Sequence, residues 1–109
     1  MKTSELTGAA LDWAVAKCIG EPLSSPYPYS TNWAFGGPII ERERIEVYWI
    51  GDHPSAAIKY AVQVPTPNGF KVETNAFSVF TGPTPLIAAM RCYVASVLGD
   101  EVEIPKELL

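Results

Sequence analysis

The chain has 109 residues, of which 48% are hydrophobic and 18% charged, and its formal net charge is −4. We predict one globular domain, residues 1–109, because this composition is not that of a disordered chain. The acidic balance argues against general nucleic-acid binding, which needs a basic face to neutralise phosphates. No apolar run approaches the roughly 18 residues of a membrane span, and the N-terminus is a poor secretory signal, so we expect a soluble cytoplasmic protein.

Residues 4–19 have helical apolar spacing, for example at Leu6, Ala10 and Ala14. This pattern predicts a first helix that begins at Ser4 or Thr7 and ends before Gly20. Asp12 and Lys17 are expected to point outward from it.

Residues 21–38, EPLSSPYPYSTNWAFGGP, hold four prolines and two glycines and therefore predict an irregular loop. The aromatic residues of this loop are too apolar for a floppy linker. One interpretation is that they cover the open edge of the core. The other is a binding loop in which Trp33 and a tyrosine offer rigid contact area, while Gly36 and Gly37 allow close backbone approach.

Residues 39–50, IIERERIEVYWI, predict a strand, and the evidence is strongest for the second half. As a strand, the segment places Glu41 and Glu43 on one side and Arg42 and Arg44 on the other. The first half is alternatively a short helical turn. Such Glu-Arg alternation is typical of a solvated face, and a mixed-charge docking patch is the functional alternative.

Turn residues at 51–54 and 65–69 flank a predicted strand at 57–64, and residues 70–80 return as its partner. Asn68 and Gly69 suit positive φ in the second turn. The apolar alternation of the return strand changes sides, so either a bulge near Asn75 restores it or the strand is buried on both faces there.

Residues 84–99 form the clearest helical pattern in the chain. Thr84 predicts an N-terminal cap, Pro85 fits the first helical position, and Gly99 predicts the end. Arg91 is the one charge within the apolar stripe, and we expect it to pair with a glutamate of residues 41–46. Residues 100–109 are expected to be a solvated acidic tail.

The order helix, loop, strand, strand, strand, helix predicts an α+β domain. In it, two helices pack on one face of a three- to four-stranded antiparallel sheet. The other face stays half exposed unless the aromatic loop or a second copy of the chain covers it, so a homodimer is a candidate assembly.

The chain offers little catalytic chemistry. Cys18 and Cys92 are expected to be buried thiols, not a disulfide, and no Cys/His spacing supports a metal site. The one histidine, His53, lies in a turn, and no glycine-rich phosphate loop is present. We therefore predict no cofactor, no metal and no catalytic residue.

Three blocks, MKTSELTGAALDWAVAK, YSTNWAFGGPIIERERI and GPTPLIAAMRCYVASVLGDEVEIPKELL, resemble the NinX-type proteins of tailed bacteriophages and prophages. The resemblance leaves out residues 47–80, and Phe35 and Val97 depart from the family pattern. The family is one of unknown function and brings no activity or cofactor. It implies a small accessory protein in the cytoplasm of an infected or lysogenic bacterium. The family pattern falls, without assigning roles, on Ser30, Thr31, Asn32, Trp33, Gly36, Gly37, Pro38, Ile39, Glu41, Arg42, Thr84, Pro85 and Arg91.

Our leading hypothesis is a non-enzymatic accessory protein that binds a host or phage macromolecule, and the partner we expect is an unidentified host or phage protein. The contact surface would be residues 27–38 of the loop with the adjoining charges of residues 41–44. The candidate binding residues are Tyr29, Asn32, Trp33, Gly36, Gly37, Pro38, Glu41, Arg42, Arg44 and Arg91.

Two other hypotheses belong to different classes. A small-ligand-binding protein or enzyme would bring Asn32, Glu41, Arg42 and Arg91 together in a pocket under the loop. Nucleic-acid binding through Trp33, Arg42 and Arg44 is the least favoured, because the whole chain is acidic.

Overall fold

A three-stranded sheet and its helices make up the fold in the computed structural model, which describes residues 1–108 and, for residues 58–66 and 70–78, the backbone alone. The sheet is antiparallel in the order β1-β2-β3. The predicted α+β class is confirmed, with three α-helices instead of two in the described chain. The elements are α1 (Gly8–Ile19), α2 (Trp33–Glu43), β1 (Glu46–Ile50), β2 (His53–Thr66), β3 (Gly69–Thr81) and α3 (Pro85–Leu98), with single 3-10 turns at Thr3–Glu5 and Lys106–Leu108.

The central element is α3, which contacts all three strands, α1 and α2. Its predicted ends are confirmed. The Thr84 hydroxyl accepts a hydrogen bond from the Ile87 N–H at 3.1 Å, and Gly99 ends the helix with a φ of 88°. Most residues from Leu86 to Val94 are buried, as in a helix covered all round. Within residues 1–108, no helix has the length and apolar character to cross a bilayer.

The first helix, α1, packs mainly on α3 and not on the sheet, because the apolar surface of α3 is wide enough to hold both. It ends at Gly20, whose φ of 77° is the left-handed conformation expected of a C-terminal cap. Asp12 does not simply point outward as predicted: its Oδ1 accepts a hydrogen bond from the Ser30 N–H at 2.8 Å. The carboxylate therefore ties α1 to the segment before α2.

Neither cysteine of the described chain is in a disulfide, as predicted. Cys92 is buried in α3. Burial raises the pKa of the Cys18 thiol to about 12, and the positive charge of Lys17 offsets only part of this effect. Both thiols therefore behave as core side chains.

The predicted irregular loop is wrong for its last part, because α2 begins at Trp33. The Asn32 side chain caps it, with Oδ1 accepting from the Ala34 N–H at 2.9 Å. Pro38 lies inside the helix, and Arg44 ends it in the left-handed conformation at φ 53°. Residues 39–43 are thus helical, which was the open alternative, and the strand starts at Glu46.

The sheet is largely as predicted. Gly51, with a φ of 57°, lies in the first turn, although β2 begins at His53, earlier than residue 57. In the β2–β3 ladder, Tyr60 pairs with Ala76 and Val62 with Glu73, so β3 contains an extra residue between these pairs. Of the two alternatives for the change in alternation, the bulge near Asn75 is the one that the ladder contains.

The C-terminal segment is not wholly a solvated tail, so that prediction is wrong for its first residues. The Val102 N–H donates to the Met1 carbonyl oxygen at 2.9 Å, and the Met1 amino group donates to the Val102 carbonyl oxygen at 3.0 Å. Val102 belongs to the hydrophobic core. This acidic segment therefore pairs with the N-terminal residue of the chain and packs the Val102 side chain on the core.

The contact between α2 and α3 depends on Gly36. A Cβ at Gly36 would lie 2.4 Å from the Tyr29 carbonyl oxygen and 2.6 Å from Leu86 Cδ1. We expect Gly36→Ala to lower the free energy of unfolding by about 1–3 kcal/mol, measured by urea denaturation.

Gly37→Ala is the matched control, because the nearest atom to its added Cβ is Trp33 Cε3 at 3.8 Å. At this helical position alanine should stabilise the protein by about 0.5–1 kcal/mol. Equal effects of the two substitutions would contradict the close contact at Gly36.

Candidate functional site

The outward half of α2, defined as Trp33, Pro38, Glu41 and Arg42, carries four of the predicted binding residues. All four side chains are exposed, and the Trp33 side chain is exposed by 53%. The opposite side of α2 buries Gly36 and Ile39. The exposed side of α2 therefore carries an aromatic ring at its start and charges of both signs near its end.

The aromatic residues before α2 divide between the core and the surface. The Tyr27 ring stacks on Phe35, with centroids 4.9 Å apart, and both rings meet Tyr29 edge-on. Tyr29 is buried, which raises the pKa of its hydroxyl, and Glu21, Tyr27 and Asp12 raise it further. Tyr27 is 52% exposed. The two interpretations of the aromatic loop, core covering and an outward-facing surface, thus apply to different residues. Tyr29 covers the core, and Tyr27 faces outward.

The charged side chains at the end of α2 make weak contacts with their neighbours. Arg42 Nε lies 3.3 Å from Glu43 Oε1, and Arg42 Nη2 donates to the Tyr93 hydroxyl at 3.5 Å. An exposed pair of this kind contributes at most about 1 kcal/mol. Arg42 and Arg44 are both exposed, so their guanidinium groups are accessible to another molecule.

Arg91 has a structural role, and its predicted salt bridge to residues 41–46 is wrong. Its Nε donates to the Leu6 carbonyl oxygen at 2.8 Å, and its Nη1 donates to the Thr81 carbonyl oxygen at 3.0 Å. The side chain is 8% exposed, and burial lowers the pKa of the guanidinium. Arg91 therefore joins the segment before α1 to the end of β3.

A pocket of about 270 Å³ lies between the N-termini of α2 and α3. It is lined by Ser30, Thr31 and Trp33 on one side and by residues 84–87 on the other. Of the predicted binding residues, only Trp33 lines this pocket. The alternative site of Asn32, Glu41, Arg42 and Arg91 is not assembled here, since Asn32 caps α2 and Arg91 binds backbone carbonyls.

Ser30 is the unusual residue of the pocket. It is 1% exposed, and its Oγ has no hydrogen-bond partner in the described part of the chain. Its backbone N–H is already bonded to Asp12. Sequence reasoning gave Ser30 no role: the family pattern includes it, but residues 21–38 were predicted to be a loop, so only the helix start at Thr84 was identified.

We expect Arg91→Met to lower the free energy of unfolding by about 3 kcal/mol, because it leaves two carbonyl groups without their charged donor. Arg42→Met is the matched control at an exposed position and should change stability by less than about 0.5 kcal/mol. Urea denaturation followed by circular dichroism measures both, and similar values for the two variants would contradict the structural role of Arg91.

We expect Ser30→Ala to raise the free energy of unfolding by about 1 kcal/mol, because a buried hydroxyl without a partner costs about 1–3 kcal/mol. Ser55→Ala is the control: Ser55 is also buried, but its Oγ donates to the His53 carbonyl oxygen at 3.2 Å. That variant should be destabilised. Thermal denaturation of both distinguishes the two serines, and a loss of stability in Ser30→Ala would show that its hydroxyl is bonded.

Comparison with known proteins supplies a family but no activity. Among the described residues no group of three or more His, Cys, Asp or Glu side chains is placed to hold a metal ion. No curated protein matches the chain. The family model described as "Bacteriophage P22, NinX" matches residues 24–97, a range that includes α2, the whole sheet and all but the last residue of α3.

Proposed function

Because the chain belongs to the bacteriophage P22 NinX family, we propose that it is a small phage accessory protein that binds a host or phage protein. The proposed contact surface is the outward half of α2 together with Tyr27. This protein would act in the cytoplasm of the bacterial host, without an enzymatic activity of its own.

The observation that carries the proposal is the exposure of Trp33 at the start of α2. Tryptophan and arginine are enriched among the few residues that dominate binding energy at protein interfaces. Here Trp33 and Arg42 are both exposed on α2, at opposite margins of its outward half, and the Tyr27 ring stacks on Phe35 of the same helix. A rigid aromatic surface loses little conformational entropy on binding, which favours recognition.

Charge favours a protein over a nucleic acid as the partner. The outward half of α2 has Glu41 beside Arg42, and the chain as a whole has a net charge of −4. A nucleic-acid surface needs clustered positive charge, whereas mixed charges suit a protein surface of complementary pattern.

The alternative, an enzyme or ligand site built from Asn32, Glu41, Arg42 and Arg91, has less support. Arg91 already donates to two carbonyl oxygens, and the Asn32 side chain is engaged in capping. Arg91 could bind a substrate through these nitrogens only by giving up its carbonyl bonds, and Asn32 has its Nδ2 group left to donate. Self-association into a homodimer stays a prediction, and it is one outcome of the capture experiment below.

The test captures the tagged protein from phage-infected cells and measures the amount of partner recovered with it. The same measurement is made with the substitutions Trp33→Ala, Arg42→Ala and Trp49→Ala. Trp33→Ala should reduce the recovered partner at least about ten-fold, because loss of a central interface tryptophan typically costs about 2 kcal/mol or more. Arg42→Ala should reduce recovery by a smaller factor. Trp49→Ala is the matched control, since Trp49 is 61% exposed but lies on β1.

Circular dichroism spectra and Tm values of all variants verify that each is folded. Equal recovery of every partner by Trp33→Ala and by the unmodified chain would contradict the proposed surface. Loss of the partner in Trp49→Ala alone would move the interface to the sheet.

A further inference from the structure

We propose that the pocket between the N-termini of α2 and α3 binds an anionic oxygen group, either a phosphate or a carboxylate. This inference concerns a ligand site and does not depend on the proposed protein partner. It follows from the hydrogen-bond donors that line the pocket and from a buried serine hydroxyl that the fold leaves without a partner.

The two helix starts supply donors and positive potential. Helix N-termini carry N–H groups that have no acceptor within the helix, and the aligned peptide dipoles place about half a positive charge there. Within the described residues, no acceptor is found for the backbone N–H groups of Trp33 and Leu86, and both residues line the pocket. Two helices of 11 and 14 residues thus begin at one cavity. Such positions favour phosphate and carboxylate groups.

Ser30 is the second and independent observation. It lines the pocket, it is 1% exposed, and its Oγ has no partner in the described chain. Because its N–H is bonded to Asp12, the hydroxyl is the Ser30 donor left without a partner, and it meets a ligand when the side chain turns toward the cavity, since the Oγ itself has almost no accessible surface. A buried polar group without a partner is rare in folded proteins and calls for a reason such as a bound ligand.

The remaining lining residues are consistent with an anion. The Thr84 oxygen accepts from the Ile87 N–H, so its hydroxyl hydrogen is free to donate into the pocket. No acidic side chain lines the cavity. The apolar lining from Pro85, Leu86 and Ile87 leaves room, within about 270 Å³, for an oxyanion and part of the molecule that carries it.

Asp12 provides a test of the electrostatic part of the proposal. Its carboxylate accepts from the N–H of Ser30, a lining residue, so its negative charge is close to the cavity and opposes an anion there. Asp12→Asn keeps an oxygen acceptor for the Ser30 N–H while it removes this charge. We therefore expect tighter anion binding in that variant.

The experiment titrates ¹⁵N-labelled protein with sodium phosphate and, separately, with sodium acetate, at ionic strength held constant with sodium chloride. We expect saturable shifts of the Trp33 and Leu86 backbone amides in nuclear magnetic resonance spectra. Ser30→Ala should weaken binding about ten-fold, because a hydrogen bond to a charged group contributes about 1.5–3 kcal/mol. Ser4→Ala, at an exposed serine outside the pocket, should bind as the unmodified chain does.

The two titrations distinguish the sources of the anion. Saturation by phosphate alone assigns the pocket to a phosphate ester, saturation by acetate alone assigns it to a carboxylate, and saturation by both supports the shared chemistry. Shifts that rise linearly with both anions, and equally in Ser30→Ala, would overturn the proposal. Because the titration uses the isolated protein, this failure is independent of whether Trp33→Ala loses a protein partner.

Discussion

The close contact between Gly36 of α2 and Leu86 of α3 is the constraint on which both proposed surfaces depend. Since no side chain separates the helices at this point, α2 lies with Gly36 and Ile39 inward. That orientation turns Trp33 and Arg42 outward, and it brings the start of α2 next to the start of α3. The missing Cβ at Gly36 therefore determines both which residues of α2 are exposed and where the pocket forms.

The parts of the fold that the sequence predicts are those determined by neighbouring residues. Thr84 and Gly99 mark the ends of α3, because a capping side chain and a glycine with positive φ each satisfy backbone groups within one turn. Gly20 does the same for α1. The bulge near Asn75 is one of the two arrangements that a change in alternation predicts, because one inserted residue returns the following side chains to the other face of the strand.

The parts that escaped prediction depend on contacts between distant residues. Pro38, Gly36 and Gly37 each lower the intrinsic helix propensity of α2, by about 1 kcal/mol for a glycine and about 3 kcal/mol for a proline, yet the helix forms. The packing of α2 on α3 outweighs these costs, and no pattern in the local sequence predicts that packing. Arg91 is a second case: the sequence identifies a charge among apolar residues, but its acceptors are backbone carbonyls that carry no sequence signal.

Trp33 connects the two proposed sites, because it is exposed on the outward half of α2 and also lines the pocket. An anion bound at the start of α2 stabilises the first turn of the helix, where the backbone N–H of Trp33 lies. If a partner contacts the Trp33 ring in that same conformation, the two binding events share one ordered element. Thermodynamic linkage then requires that each ligand change the affinity of the other by the same factor. The sign of that factor is set by geometry: a partner that leaves the pocket mouth open is favoured by the anion, whereas one that covers it must either exclude the anion or supply the anionic group itself.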